Sequence, residues 1–312
     1  MPPIRQRPRR VRVGLAAAIL GAVGLGGVLG LALDVARVGG PEAWLALRRG
    51  VPPYEPLGRP VPLPDGRAIY LDCRGPTAPP NTPTIVFESG IGAGAGAWGL
   101  VFAATADRGR ACVYDRPGLG RSDRRDRHSV ADTAADLRSA LAEAGERPPF
   151  VVVAHSLGAV YARVFAARHG PEVVGLVLVD PFNPDLYERT IAPLDPTAQE
   201  QGRRGMAAAF AQIEAVEGLD WAASSAELAG SSVAGLPIEI LSVDQRVWFP
   251  PEVRGAIPFE AIEAAWRAGL EGLSPGRVRI TVVGGAGHHI QFDRPDLVLA
   301  AIGRILDAVD ED

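Results

Sequence analysis

One segment near the middle of this chain places a buried strand, a serine and a helix directly after one another. The apolar run Phe150–Ala154, with three consecutive valines, predicts a strand that is buried on both faces. Ser156 follows it, and helix-favouring residues continue over Leu157–His169 until a Gly-Pro pair predicts the end of the helix. A strand that leads into a helix within so few residues needs a sharp turn, and the small residues Ala154 and Gly158 on either side of the serine leave space for one.

This order of strand, turn, serine and helix is that of a nucleophile elbow, with Ala154 in place of the more usual glycine. Such a turn strains the serine backbone and lifts the Ser156 hydroxyl clear of the sheet. The following helix directs free N–H groups at an oxyanion formed there. Because serine is a weak nucleophile at neutral pH, this chemistry requires a histidine base and a carboxylate that orients the imidazole.

The composition argues against a nucleic-acid-binding protein. The 312 residues are 47% apolar, which is enough for the core of one large domain and a further segment. The net charge of −4 conceals an asymmetry, because five arginines lie within the first twelve residues. Without them, 27 basic residues remain against 36 acidic ones. A domain with this acidic balance is a poor match for a nucleic-acid partner.

An uncharged segment follows the basic N-terminus. Residues 13–33 are long and apolar enough to span a bilayer. Because the arginines precede this segment, we expect them to stay in the cytoplasm and the rest of the chain to cross the membrane. The sequence favours an uncleaved membrane anchor with the domain outside the cytoplasm. A cleaved signal peptide, which would give a secreted protein, is the alternative, although residues 33–36 are a poor cleavage site.

The chain divides into a basic N-terminus with the apolar segment (residues 1–40), a linker rich in Gly, Pro and Arg (41–60) and one domain (61–312). Within the domain, apolar strands alternate with amphipathic helices. This alternation predicts an α/β fold with a doubly wound, mostly parallel sheet and helices on both faces. Residues 181–236 interrupt the alternation and are expected to form a partly helical cap. The predicted strands are 68–73, 84–88, 111–115, 150–154, 174–180, 238–243 and 278–283; the predicted helices are 129–145, 157–169, 199–217 and 293–309.

Five motifs, in this order along residues 61–309, resemble the α/β-hydrolase superfamily and in particular its membrane-exported, esterase-like members. The elbow at Ser156 is the third. The others are Ile85–Gly92 with Trp98 downstream, similar to the oxyanion loop; Tyr114–Ser122, similar to D-R-x-G-x-G-x-S; Leu176–Pro181; and Gly287–Pro295, similar to G-H-x-x-x-x-D/E-x-P around the catalytic histidine. The resemblance implies the α/β-hydrolase fold and a Ser-His-Asp triad, with the acid and then the histidine after the serine in the chain.

The histidine of the triad is predicted to be His288. It follows a strand and a glycine-rich turn, and its spacing to Asp293 and Pro295 matches the superfamily motif, which favours it over the adjacent His289. His155 lies next to the serine, but the tight turn points its side chain elsewhere. We therefore expect His155 to support the site rather than to act as the base.

Two aspartates compete for the acid position. Asp244 follows the predicted strand 238–243, which is the commoner position in this fold, but the usual glycine-containing turn is missing. Asp180 ends the preceding strand and resembles the placement in lipase-like members. The sequence favours Asp180 and keeps Asp244 as the alternative. Asp115 is interpreted as a structural residue that holds the loop after its strand.

The oxyanion donors are expected to be the backbone N–H groups of Ile91 and Leu157. Glycines at 90, 92, 94 and 96 let the loop around Ile91 approach the serine closely. A phosphate-binding interpretation of this loop is disfavoured, since no clear amphipathic helix follows directly and Gly-Lys-Ser/Thr is missing. No Cys/His cluster has the spacing of a metal site, so neither a metal nor a cofactor is expected.

The sequence thus predicts a membrane-anchored serine hydrolase that cleaves a partly apolar, small-molecule carboxylic ester. Ser156 argues against the aspartate-dependent chemistry by which other members cleave C–halogen bonds or epoxides. An iminopeptidase, a lactonase, an acyltransferase and a non-catalytic scaffold protein are the alternatives. Cys73 and Cys112 lie in predicted strands, and the sequence leaves open whether they form a disulfide or remain two buried thiols.

Overall fold

The computed structural model of the protein describes residues 54–244, 246 and 257–310. The predicted membrane span at residues 13–33 lies outside these residues, as does most of the predicted linker. Within the part that is described, no helix has the length and apolar character needed to cross a membrane.

An eight-stranded sheet forms the centre of the described domain. The strands are β1 (Arg59–Pro62), β2 (Ala68–Arg74), β3 (Thr84–Glu88), β4 (Ala111–Tyr114), β5 (Phe150–His155), β6 (Val173–Val179), β7 (Ile238–Val243) and β8 (Val278–Val283). Their order in the sheet is β1-β2-β4-β3-β5-β6-β7-β8. The first two strands pair antiparallel with each other, and β2 also pairs antiparallel with β4; all other pairs are parallel. The prediction of a mostly parallel sheet is therefore confirmed.

Helices follow most of the parallel strands. The helix after β4 begins where the sequence predicts it, since Ser129 and Asp132 form the expected capping box. The helix in the cap segment begins at Pro196, three residues before the predicted start, because Asp195 caps it. The helices are α1 (Gly99–Ala106), α2 (Val130–Glu143), α3 (Gly158–His169), α4 (Tyr187–Ile191), α5 (Pro196–Glu217), α6 (Trp221–Ala229), α7 (Phe259–Glu271), α8 (Ile290–Asp293) and α9 (Pro295–Asp310).

Helix α1 is not among the predicted helices, and, as expected, it is not amphipathic. Helix α1 begins soon after the glycine loop, at Gly99, where the sequence showed no amphipathic helix. Its residues are apolar on nearly every face because it is packed into the core, with Val101 and Phe102 fully buried. A helix without a polar face gives no amphipathic signal, which explains the missed prediction.

The sheet has a separate apolar core on each face. Alternate residues of β5 divide between the two cores: Val152 packs with Leu137 of α2 and Phe165 of α3. Val153, by contrast, packs with Phe102 of α1 and Ile302 of α9. This division is the expected consequence of side chains alternating across a strand, and it confirms helices on both faces.

Cys73 and Cys112 form a disulfide that joins β2 to β4 at directly paired positions. Their separation of 39 residues means that the bond closes a long loop. Loop-closure entropy at this length corresponds to about 4 kcal/mol of stabilisation. We therefore expect reduction with dithiothreitol to lower the free energy of unfolding by about this amount, measured by urea denaturation.

The double variant Cys73→Ser/Cys112→Ser is the control, and its urea midpoint should be low and insensitive to dithiothreitol. A wild-type midpoint that is equal with and without the reductant would contradict the disulfide.

Candidate active site

The serine lies on a strained turn at the carboxyl end of β5. Ser156 has a φ of +52°, a left-handed conformation that is costly for a residue with a side chain. Its N–H donates to the Val179 carbonyl at 3.1 Å, and its carbonyl accepts from the Phe182 N–H at 3.0 Å. A Cβ at Gly158 would lie 2.6 Å from the Glu88 carbonyl oxygen, so only glycine allows the helix to start this close to β3.

His288 reaches the serine from the loop after β8. Its Nε2 lies 3.0 Å from the Ser156 Oγ, and its Nδ1 lies 2.7 Å from the Asp180 Oδ2. An ionised carboxylate only accepts, so Nδ1 carries the proton and donates it to Asp180. Nε2 is then free to accept the serine hydroxyl proton, which is the arrangement a general base requires.

Of the two candidate acids, the structure brings Asp180 to the histidine. Asp180 is 6% exposed and follows β6 directly. Its Oδ1 accepts from the Val243 N–H at 3.2 Å, and its own N–H donates to the Leu241 carbonyl at 2.7 Å. The hydrogen bonds found for the Asp244 side chain within the described residues all come from Arg246. The backbone of β7 thus helps to hold Asp180 in place.

His155 contacts the backbone of His288. Its Nε2 lies 2.9 Å from the His288 carbonyl oxygen, so Nε2 carries a proton and donates it. Burial, together with the nearby His288 and His289 rings, holds the pKa of His155 well below its usual value. A neutral His155 fixes the backbone of His288 without placing a second positive charge beside the imidazole.

The loop after β3 lies beside the elbow. At Gly90, a Cβ would lie 2.9 Å from the His155 Nδ1 and 3.4 Å from the Ser156 Cβ, which explains the glycine. The two expected oxyanion donors, Ile91 and Leu157, directly follow Gly90 and Ser156 in the chain. Among the described residues, the N–H groups of Ile91 and Leu157 donate to no acceptor.

Asp115 binds the backbone of the glycine loop, which is the structural role that the sequence indicates. Its Oδ1 accepts from the Ala95 N–H at 2.8 Å, and its Oδ2 accepts from the Arg121 N–H at 2.9 Å. One carboxylate therefore ties the glycine loop to the loop after β4.

Comparison with known proteins decides the family. A sequence profile described as the alpha/beta hydrolase family matches residues 85–301, well over half of the chain. The chain belongs to the alpha/beta hydrolase family. The resemblance of the five motifs to the α/β-hydrolase superfamily is thereby confirmed.

Two curated relatives of this alpha/beta hydrolase match over shorter stretches. An "AB hydrolase superfamily protein" of Gibberella zeae is 33% identical over 122 residues, which cover 36% of this chain and 37% of that protein. The "(Lyso)-N-acylphosphatidylethanolamine lipase" of Bos taurus is 30% identical over 145 residues, which cover 45% of this chain and 41% of that protein. Each match thus spans less than half the length of the relative.

Solved structures of the family share the fold over more of the chain. An esterase from Thermogutta terrifontis, with malate bound, aligns with a TM-score of 0.52 at 18% identity and covers 81% of this chain and 97% of its own. An epoxide hydrolase from metagenomes of hot environments aligns with a TM-score of 0.54 at 17% identity. The alignment covers 81% of this chain and 98% of the epoxide hydrolase. At these identities the likeness concerns the fold alone.

A buried ionic cluster in this alpha/beta hydrolase was missed by the sequence reasoning. Arg116 is 2% exposed and contacts two carboxylates, Glu88 at the end of β3 and Glu217 at the end of α5, each at 2.6 Å. The Tyr114 hydroxyl donates to Glu88, and the Tyr161 hydroxyl donates to Glu217 at 3.3 Å.

The charges of this cluster depend on one another. Burial by itself lowers the pKa of Arg116, but the carboxylates of Glu217 and Glu88 raise that pKa well above its usual value. Burial raises the pKa of Glu88. A glutamate that ends an otherwise apolar strand was the available signal, because a buried charge requires a partner. No comparable sequence pattern points to Glu217.

Two large apolar side chains are exposed at the glycine loop and at the end of α5. Ile91 and Val216 are among the few large apolar residues of the described chain that are exposed, at 38% and 46%. Val216 lies over the loop, with its Cγ1 3.1 Å from the position of a Cβ on Gly92. Phe210 and Trp221 of the cap segment stack at 4.4 Å between ring centroids, and Phe182 contacts both.

Proposed function

We propose that this protein is a serine hydrolase that cleaves carboxylic esters through an acyl-enzyme intermediate. The observation that supports the proposal is the hydrogen-bonded series Asp180–His288–Ser156, with distances of 2.7 and 3.0 Å, on a serine turn of positive φ. Each member of this series contacts the next in the way that nucleophilic catalysis requires.

The chemistry follows from that geometry. The Ser156 Oγ attacks the ester carbonyl carbon while the His288 Nε2 takes the hydroxyl proton. The carbonyl oxygen becomes an oxyanion, for which the N–H groups of Ile91 and Leu157 are the proposed donors. When the C–O bond breaks, His288 returns the proton to the leaving alcohol, and Asp180 stabilises the imidazolium in between.

A water molecule then hydrolyses the acyl-enzyme with the help of the same residues. His288 takes a proton from the water molecule, whose oxygen attacks the acyl carbon of the acyl-enzyme. The bond to the Ser156 Oγ then breaks, His288 returns the proton to that oxygen, and the carboxylic acid leaves. No cofactor or metal takes part in the proposed cycle.

The serine favours esters over the other substrates of the fold. Members that open epoxides or cleave C–halogen bonds use an aspartate nucleophile, and here Ser156 occupies the elbow. The relatives named as an esterase and as a lipase are in keeping with ester hydrolysis.

The exposed side chains of Ile91 and Val216 beside the glycine loop support an ester with an apolar acyl or alcohol group. Each methylene buried there contributes about 0.8 kcal/mol, a factor of about four. We therefore expect kcat/KM to rise by up to about 15-fold per two-carbon step from p-nitrophenyl acetate to butyrate and hexanoate. Val216→Ser should flatten this rise and leave the acetate rate unchanged.

Leu57→Ser is the matched control, because Leu57 is also an exposed apolar residue but lies in the chain segment that precedes β1. It should leave the whole chain-length profile unchanged. No hydrolysis of any ester by the folded protein would contradict the proposed function. Turnover with no dependence on chain length would contradict only the apolar substrate.

The membrane location remains part of the proposal. Residues 13–33 carry the anchor signal, and the Cys73–Cys112 disulfide is in keeping with an oxidising compartment outside the cytoplasm. A partly apolar ester is the proposed partner molecule there.

A further inference from the structure

We infer that Arg116 and Glu217 are positioning residues for the oxyanion hole, so that helix α5 of the cap segment fixes the loop that carries the Ile91 N–H. The inference rests on the proposed function, because an oxyanion hole has a role only if Ser156 attacks an ester. It concerns two residues outside the Ser156–His288–Asp180 series.

Arg116 contacts two backbone carbonyls of the glycine loop. Its Nη1 donates to the Ser89 carbonyl at 2.6 Å, and its Nη2 donates to the Gly90 carbonyl at 2.6 Å. The Gly90 carbonyl and the Ile91 N–H belong to the same peptide group. Because a trans peptide is planar and its C=O and N–H point in opposite directions, a fixed carbonyl also fixes the direction of the N–H.

Glu217 holds the loop on the other side of Ile91. Its Oε1 accepts from the Gly92 N–H at 2.8 Å, so the residue after Ile91 is also tied. The same carboxylate accepts from the Arg116 Nη2 at 2.6 Å and from its Nε at 2.9 Å. The two side chains thus bind the peptide groups on both sides of Ile91 and bind each other.

The charge of Arg116 adds to the effect. A guanidinium that donates to the Gly90 carbonyl polarises the peptide and strengthens the N–H on its far side as a donor. Both Arg116 and Glu217 are buried, at 2% and 4% exposure, so water screens this interaction very little.

The position of Glu217 links the loop to the cap segment. It is the last residue of α5, and Gly218, with a φ of +71°, ends the helix directly after it. The helix end therefore sets where the carboxylate lies relative to the loop. Displacement of α5 would withdraw the carboxylate and release the Gly92 N–H.

Two roles for the cluster make different predictions. If the cluster only stabilises the folded cap, its loss lowers the thermal midpoint and leaves the remaining folded enzyme unchanged. If it positions the oxyanion donor, its loss lowers kcat and weakens tetrahedral analogues while KM changes little, because the donor contacts the oxyanion more strongly than the substrate carbonyl.

The test compares Glu217→Ala and Glu217→Gln with the wild-type full chain, each purified as folded protein. The assays are kcat and KM for p-nitrophenyl butyrate, the Ki of an alkyl trifluoromethyl ketone that forms a tetrahedral adduct on the serine, and the thermal midpoint. We expect Glu217→Ala to lower kcat about 10- to 100-fold and to raise Ki by a similar factor, with KM within twofold. Glu217→Gln keeps an oxygen acceptor for the Gly92 N–H and should recover part of the loss.

Glu214→Ala is the matched control. Glu214 lies one turn earlier on the same helix and accepts from the Trp221 N–H at 3.2 Å rather than from the loop. It should leave kcat and Ki within twofold of the wild type. If Glu217→Ala does not fold, Glu217→Gln and Arg116→Lys carry the comparison, since both keep the size and part of the hydrogen bonding.

The outcomes separate the two proposals. An active wild type with unchanged kcat and Ki in the Glu217 variants overturns the positioning role and leaves the proposed function standing. A lower thermal midpoint without any change in Ki does the same. A folded wild type that neither turns over the ester nor binds the ketone overturns the proposed function and this inference together.

Discussion

Ser156→Ala is expected to lower kcat for ester hydrolysis by about 10⁶-fold, because without the Oγ no acyl-enzyme can form. Stability should change little. The alanine adopts the same positive φ as the serine, so the strain of the turn is retained, and the side chain loses only its contact with His288. Initial rates with p-nitrophenyl butyrate and a thermal melt measure the two effects.

Ser231→Ala makes the same chemical change away from the site, where the hydroxyl donates to the Glu227 carbonyl at 2.8 Å. Its activity should equal that of the wild type. Turnover retained by Ser156→Ala at the wild-type rate would show that the serine is not the nucleophile.

The second large effect is expected at the acid. Asp180→Asn should lower kcat by about 10⁴-fold, because an amide neither stabilises the imidazolium nor holds the required tautomer of His288. The loss should appear in kcat across the whole pH range. The thermal midpoint should change only slightly, since asparagine preserves the shape of the side chain.

Asp244→Asn is the direct comparison, because the sequence alone kept both residues as candidates. The Asp244 side chain contacts Arg246 and is 42% exposed, so this variant should retain activity within twofold. If Asp244→Asn were the inactive variant, the assignment of the acid would be reversed. Full activity in both would mean that another carboxylate orients the base.

Much of the fold could be predicted because burial leaves a clear pattern. Strands β3, β7 and β8 begin and end at the predicted residues, since each is rich in β-branched and other apolar residues. Helix α1 gave no such signal because both its core-facing and its other residues are apolar. Helix boundaries differed where a cap decided them, as at Asp195.

The residues of the site converge for a topological reason. Ser156 follows β5, Asp180 follows β6 and His288 follows β8, and parallel strands bring their carboxyl ends to one edge of a sheet. The sequence could therefore name these residues. It favours Asp180 but keeps Asp244 as the alternative, because both follow strands that end at that same edge and only the side-chain direction separates them.

The contacts within the ionic cluster could not be predicted from the sequence. Arg116 and Glu217 are 101 residues apart, and their contact depends on where the end of α5 lies over the sheet. No local periodicity encodes that position. A charged residue at the end of a buried strand, such as Glu88, indicates that a partner exists but not which residue it is.

The most direct measurement is the labelling of the folded full chain by a fluorophosphonate probe, followed by peptide mapping. This reagent reacts with a serine that a neighbouring base activates, and its adduct resembles the tetrahedral intermediate. One adduct is expected, on the peptide that contains Ser156, and this adduct should be absent from the Ser156→Ala variant. A well-folded protein that takes no label, or takes it on a different serine, would contradict the claim that Ser156 is an activated nucleophile.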